Sequence, residues 1–187
     1  MNKRIGIFAG SFDPIHYGHL DIINRACDLF DEVHVLVATN PTKHGLFTEF
    51  KRVELIEQSI KHAHAEGKQL GFTRIQPEKI IVSLHGGLLV HYVENLIKDT
   101  PEADHPSCIR LIRGVRMGDA NQELTMSVYN NELGVDTILI PTNKEFAHLK
   151  SSAIKEIAAY DVEELEMQDW VAPPVYEALF KKIRAFS

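Results

Sequence analysis

The alternation of short apolar runs with amphipathic stretches constrains this chain more than any other feature. Arg4 to Ala9 (RIGIFA) reads as a strand closed by Gly10, after which Leu20, Ile23, Cys27 and Phe30 recur at helical spacing. Val33 to Ala38 (VHVLVA) reads as a second strand, and Val53, Ile56 and Ile60 mark one face of a second helix. Three more strands are predicted at Ile80–Leu84, Ile109–Ile112 and Thr137–Ile140. The intervening helices carry Leu89, Val93 and Leu96, then a weaker run from Glu123 to Leu133, then Ile154 and Ile157 behind Ser151. A terminal helix bears Val175, Leu179 and Ile183, with Pro173-Pro174 suited to its first turn. Repeated strand-then-helix order predicts an α/β fold: one doubly wound, Rossmann-like domain with a parallel sheet of about five strands flanked by helices. In such sheets ligands bind beyond the carboxyl ends of the strands, near the topological switch point.

With 187 residues and 44% hydrophobic content, the chain is sized for a single core. Two polar stretches fit the pattern poorly, 61–79 and 98–107 (KDTPEADHPS), and are expected as surface insertions within one domain spanning 1–187. Twenty basic against 26 acidic residues give a net charge of -6, which argues against a general nucleic-acid binder. Cys27 and Cys108 suggest neither a disulfide framework nor a cysteine zinc site. No apolar run is long enough for a signal peptide or a membrane span, so a cytoplasmic protein without membrane partners is expected.

Candidate chemistry concentrates between the first strand and its helix, in Gly10–His19 (GSFDPIHYGH). Gly10 lets the backbone turn and a ligand approach closely, and Pro14 stiffens the loop. Gly18 and His19 stand at the helix start, where free N–H groups and the dipole favour an anion. A histidine there can donate to a phosphate oxygen, although a tight turn with a capping polar residue uses the same residue types. Leu111–Arg116 (LIRGVR) sets two arginines around Gly114 at a strand end, where their planar forks suit phosphate oxygens or surface ion pairs. Ser151 and Ser152 at a helix start serve as N-caps, a role compatible with holding phosphate. Taken singly, Lys43 reads as a solvated lysine, Gly87–Val90 as a buried helix face, and Glu123 as a solvated helix position. His62 and His64 lack the companions of a metal site and read as solvated loop histidines.

Read together, GSFDPIHYGH resembles the signature of the nucleotidyltransferase superfamily, whose His-x-Gly-His or Thr-x-Gly-His tetrad binds nucleotide phosphates. His16-Tyr17-Gly18-His19 fits the first form. The flanking Gly-Ser-Phe-Asp-Pro is similar to the Gly-Thr-Phe-Asp-Pro of the phosphopantetheine adenylyltransferase family, which usually has threonine where His16 stands. Ala38–Phe47 (ATNPTKHGLF) resembles that family's Ala-Asn-Pro-Ser-Lys segment, and Gly87-Leu88-Leu89-Val90 its lining of the pantetheine arm. LIRGVR is similar to its Val-Arg-Gly-Leu-Arg, and Phe146–Lys155 (FAHLKSSAIK) to its Ile-Ser-Ser-Ser or Ile-Ser-Ser-Thr motif. The resemblance runs from Arg4 to about Glu156 in family order. Departures are Lys150 in place of a small hydroxyl residue, and a stretch one residue shorter before Glu123, with Asp119-Ala120-Asn121. Lys155 stands where the wider superfamily often has arginine.

The resemblance implies an enzyme of coenzyme A biosynthesis, transferring AMP from ATP to 4′-phosphopantetheine to give dephospho-coenzyme A and pyrophosphate. It implies His19 as stabiliser of the transition state, with Lys43 and Arg116 as catalytic partners. ATP is implied at Ser11, Phe12, His19, Gly114, Val115, Arg116, Glu123, Phe146, Ser151 and Ser152, and the acceptor at Ser11, Lys43, Leu89 and Arg113. Mg²⁺ is expected to travel on the ATP phosphates, with no metal-ligating side chains, and bacterial members imply a homohexamer. No Ser-His-Asp or Cys-His set is evident for a covalent intermediate, so direct in-line displacement is expected. Two alternatives stay open. One is another adenylyl- or cytidylyltransferase of the superfamily, acting on nicotinamide mononucleotide for example. The other is a non-catalytic protein that binds nucleotide or coenzyme A.

Overall fold

The computed structural model describes residues 3–39, 45–99, 108–132, 134–160 and 167–184. Five strands form one sheet: β1 (Ile5–Gly10), β2 (Glu32–Thr39), β3 (Ile80–Gly86), β4 (Ile109–Val115) and β5 (Thr137–Pro141). All pairings are parallel and the order is β3-β2-β1-β4-β5. The chain therefore winds outward in one direction from β1 and then in the other, which puts the switch point between β1 and β4. The helices are α1 (Tyr17–Leu29), α2 (Glu49–Ala65), the single turn α3 (Gly67–Leu70), α4 (Leu89–Asp99), α5 (Ala120–Glu132), α6 (Ser151–Ala159) and α7 (Pro173–Arg184).

Alternation along the strands divides the core in two. Phe8, Val33, Val35, Val37 and Ile112 face a large cluster built with α1, α2, α6 and α7. Ile5, Ile7, Leu36, Ile109 and Leu111 face a smaller one under α4, closed by Val93 and Val135. Burial on both faces explains why the strands read as continuous apolar runs.

The segment 61–79, expected as a surface insertion, differs from that expectation. Its first residues complete α2, whose fully buried Ala63 continues the apolar face at small volume. Phe72 and Ile75 are 2% and 3% exposed and belong to the main core. His64 lies on α2 rather than in a loop, and its Nδ1–H donates to the Ile75 carbonyl at 2.9 Å. Most of the second expected insertion, 100–107, lies outside the described residues. No helix among the described residues is long and apolar enough to cross a membrane.

Candidate active site

The loop joining β1 to α1 runs along the switch point and is tied down by a buried carboxylate. Asp13 is 3% exposed, and its two oxygens accept the backbone N–H groups of Leu46 (2.8 Å) and Phe47 (2.9 Å). Lys155 on α6 donates to the same carboxylate at 3.2 Å, and the buried Arg52 of α2 lies 3.4 Å from it. Burial alone would raise the Asp13 pKa, but the two N–H groups, Lys155 and Arg52 outweigh it and hold the carboxyl below its ordinary value. Arg52 donates through Nε to the Phe47 carbonyl (2.8 Å) and through Nη1 to the Ser11 carbonyl (3.4 Å). Three segments thus converge on one side chain of the β1–α1 loop.

The turn expected at Gly10 is made two residues later. Phe12 takes the left-handed conformation at φ 45°, with its ring buried edge-on against Phe8 and His19. A bulky residue there is strained, and the packing of its ring is what retains it.

At the start of α1 the rings of His16 and His19 stack with centroids 3.7 Å apart and planes 20° apart. Gly18 makes room for this: a Cβ at that position would stand 3.0 Å from the His16 ring. The backbone N–H of His16 donates to Nδ1 of His19 at 3.3 Å. An Nδ1 that accepts leaves the ring proton on Nε2, so His19 presents an N–H donor to the cleft it lines. Burial, then the Arg116 charge, push the His19 pKa down to about 3, so the ring is neutral at pH 7. His16 is lowered well below the usual imidazole range by burial, then by the charges of His19, Arg116 and His148. Its Nδ1 is buried with no hydrogen-bond partner.

The cleft holds about 230 Å³ and gathers most of the residues that the sequence singled out: Ser11, Phe12, His19, Arg113, Gly114, Arg116, Glu123 and Phe146. Arg116 donates through Nε to Asp119 (2.8 Å) and through Nη1 to the Leu149 carbonyl (2.7 Å). Lys150 reaches the same Asp119 at 3.9 Å, so the two departures noted in the sequence meet in space. Arg113, assigned to the acceptor phosphate, is held in a two-point pair by Glu123, at 2.6 Å through Nε and 3.1 Å through Nη2. Ser151 lies at the first position of α6 and donates to the Pro14 carbonyl at 2.9 Å, which ties that helix start to the loop. Val115, Ser151 and Ser152 do not line the cleft, and Lys43 lies outside the described residues.

Leu89 lines a second cavity of about 180 Å³, with Leu88, Val90, Val93, Leu111 and Val135 and a single polar side chain, Asn130. Leu111 and Arg113 are two residues apart on β4 and so share a face, about 7 Å apart. The Arg113–Glu123 pair therefore marks the border between the polar cleft and the apolar cavity.

The roles of Asp13 and Arg52 are not legible in the sequence, because their partners come from other segments. Asp119 was noted only as a departure, although the arginine it holds stands three residues before it. His16 was visible in the tetrad, but its stacking on His19 was not. Among the described residues no group of three His, Cys, Asp or Glu could hold a metal ion.

Residues 7–157 match the cytidylyltransferase-like family. Among solved structures, the chain is similar to the nicotinic acid mononucleotide adenylyltransferase of Plasmodium falciparum complexed with NaAD, at TM-score 0.65 and 15% identity, covering 98% of this chain and 96% of that one. It is also similar to a bifunctional NMN adenylyltransferase/ADP ribose pyrophosphatase of Francisella tularensis complexed with AMP and a manganese ion. There the TM-score is 0.61 at 16% identity, over 96% of this chain and 48% of that one. At these identities the likeness is one of fold.

Proposed function

The chain belongs to the cytidylyltransferase-like family of the nucleotidyltransferase superfamily, and we propose that it transfers the adenylyl group of ATP to an acceptor phosphate. The observation that carries this reading is the His16–His19 arrangement: a neutral imidazole whose Nδ1 is occupied by backbone and whose Nε2–H faces a cleft shared with Arg116.

In the reaction, an oxygen of the acceptor phosphate attacks the α-phosphorus of ATP. The new P–O bond forms as the bond to the bridging oxygen breaks, and pyrophosphate leaves with the electron pair. The acceptor is already anionic, so no general base is needed and catalysis rests on positioning and charge stabilisation. His19 donates through Nε2 to an α-phosphate oxygen, where negative charge accumulates. Arg116 has its fork preset by Asp119 and the Leu149 carbonyl, and serves the β- and γ-phosphates. In this reading the start of α6, tied to the β1–α1 loop through Ser151 and the Pro14 carbonyl, offers its free backbone N–H groups to the phosphates when ATP binds. Mg²⁺ fits as a companion of the triphosphate, since the cleft's histidines and arginines are donors suited to phosphate oxygens rather than metal ligands. When bound there, it offsets phosphate charge.

The acceptor we propose is 4′-phosphopantetheine. The sequence motifs support it, and so does the apolar cavity beside Arg113, which offers a narrow wall with the one amide of Asn130 to a thin chain bearing amides. Phosphate capture then requires Arg113 to share its fork between Glu123 and the acceptor. The hexamer implied by the resemblance has support in α5, which leaves Leu124, Val128 and Tyr129 exposed. A second acceptor, nicotinate or nicotinamide mononucleotide, is favoured by the names of the similar solved structures and by His16 in place of threonine. One competition decides between them. The protein is given Mg·ATP with equal 4′-phosphopantetheine, nicotinate mononucleotide and nicotinamide mononucleotide, and the products are identified by mass. Dephospho-coenzyme A alone supports the first reading; a dinucleotide alone replaces it with the second.

A further inference from the structure

Away from the cleft, a polar chain centred on one buried histidine crosses the otherwise apolar face beneath α4. His34 on β2 is 3% exposed, and both of its ring nitrogens are engaged, Nδ1 with the Tyr92 hydroxyl (2.7 Å) and Nε2 with a Glu32 carboxylate oxygen (2.8 Å). An ionised carboxylate only accepts, so Nε2 carries the proton. In the neutral ring Nδ1 then accepts from the Tyr92 O–H. Lys3 completes the chain by donating to the other Glu32 oxygen at 2.7 Å. Beyond Tyr92, the ring of His85 meets it edge-on at 5.2 Å. His85 Nε2–H donates to the Leu88 carbonyl at 3.0 Å, immediately before α4 begins.

Two directional contacts thus bracket the first turn of α4: His85 at Leu88, and His34 at Tyr92. Between and beside them stand Leu88, Leu89, Val90 and Val93, the residues that α4 and its approach contribute to the apolar cavity. Apolar contact is non-directional and opposes rotation of a helix only weakly. Val93 is the one buried side chain of α4, and Leu89, Tyr92, Leu96 and Ile97 pack against the core only partly buried, so apolar packing sets the face of the helix but leaves its exact rotation loosely defined. A hydrogen bond is directional, and losing the one to Tyr92 leaves a ring nitrogen of the buried His34 without a partner.

We propose that Tyr92, held by His34, and His85 are positioning residues that set the rotation of α4. In doing so they set the width of the apolar cavity, and with it the enzyme's discrimination among acceptor arms. The discrimination part rests on the functional reading above; the positioning part does not.

The test uses the full chain and three variants: Tyr92→Phe, His34→Leu, and the double variant carrying both. Amide hydrogen exchange over residues 91–97 reads positioning without any acceptor. Exchange is expected to speed up about tenfold in each variant while the core strands stay protected. In kinetics, KM for 4′-phosphopantetheine is expected to rise about tenfold with KM for ATP and kcat unchanged. The double variant removes both partners of the His34–Tyr92 bond, leaving Glu32 to Lys3, and is expected to recover part of the thermal stability that Tyr92→Phe loses. It should keep the fast exchange and the raised KM, which a merely structural pair would not do. Unchanged exchange in Tyr92→Phe overturns the proposal, and so does a parallel rise of both KM values. If the wild-type chain turns over no acceptor, the functional reading falls, and the exchange result alone then decides the positioning role.

Discussion

His16 and His19 are stacked ring on ring, and the backbone N–H of the first fixes the tautomer of the second. Stacking confines the plane of the His19 ring, and the bond to Nδ1 directs Nε2–H into the cleft. The donor is thus oriented before any substrate arrives, which is the condition under which a hydrogen bond contributes most to a transition state.

Replacing His19 by alanine should leave the fold intact, because the ring lines the cleft rather than closing the core. Turnover should fall by about 10²–10³, or about 2.7–4 kcal/mol, the typical cost of one such donor. Steady-state rates alongside a thermal melt check this. Near wild-type turnover in a folded variant removes His19 from the mechanism.

The His19 ring should not titrate between about pH 5 and about pH 8 in the free protein. Its folded pKa of about 3 lies below the ordinary 6.5. The unfolded chain therefore takes up a proton on acidification that the folded one refuses, and the stability associated with His19 is lost as pH falls from 6.5 toward 3. His19→Gln should thus lose less stability than wild type between neutral and acid pH. Ring proton shifts and denaturation midpoints measure the two effects, and a ring titrating near 6.5 in the free protein would falsify this assignment.

Asp13→Ala should be among the most destabilising single changes in the chain. It leaves Arg52 buried without a carboxylate, a loss of about 3–5 kcal/mol for a broken buried pair, and it frees the N–H groups of Leu46 and Phe47. The Asp13 carboxyl is held below its ordinary pKa, so its contribution is present at neutral pH and is lost as pH falls through the folded value. Asp13→Asn should lose less, since the amide oxygen can still accept from backbone. Denaturant titration of both variants at neutral and acid pH is the measurement; equal stability of Asp13→Ala and wild type contradicts the anchor role.

The fold was legible in the sequence because burial on both faces makes strands such as Val33–Ala38 near-continuous apolar runs, and each is followed by a helical period. The tetrad was legible because its residues are contiguous. Partnerships across the chain were not. Arg52 has the sequence context of a surface helix charge and is 6% exposed, since its carboxylate comes from the β1–α1 loop. Arg113 was visible as a strand-end cation, but nothing in LIRGVR shows that Glu123, on the next helix, occupies its fork. The buried placement of Phe72 and Ile75 was hidden by the polar residues around them.

Arg116 should depend on its shape as well as its charge. Arg116→Lys keeps the charge but cannot reach both Asp119 and the Leu149 carbonyl, so KM for ATP should rise about tenfold with smaller effects on the acceptor. Arg116→Ala leaves Asp119 near the phosphates without its partner and should lower kcat/KM for ATP by about 100-fold. Kinetics with ATP varied at fixed acceptor separate the two, and an unchanged KM for ATP in both removes Arg116 from nucleotide binding.

The most direct measurement is pyrophosphate release from Mg·ATP by the purified protein, with 4′-phosphopantetheine, with each mononucleotide, and with no acceptor. The account predicts release only when a phosphate-bearing acceptor is present, one pyrophosphate for each adenylylated product. A folded protein that binds ATP but releases no pyrophosphate with any of these acceptors would contradict it, and would leave a nucleotide-binding protein without transferase activity.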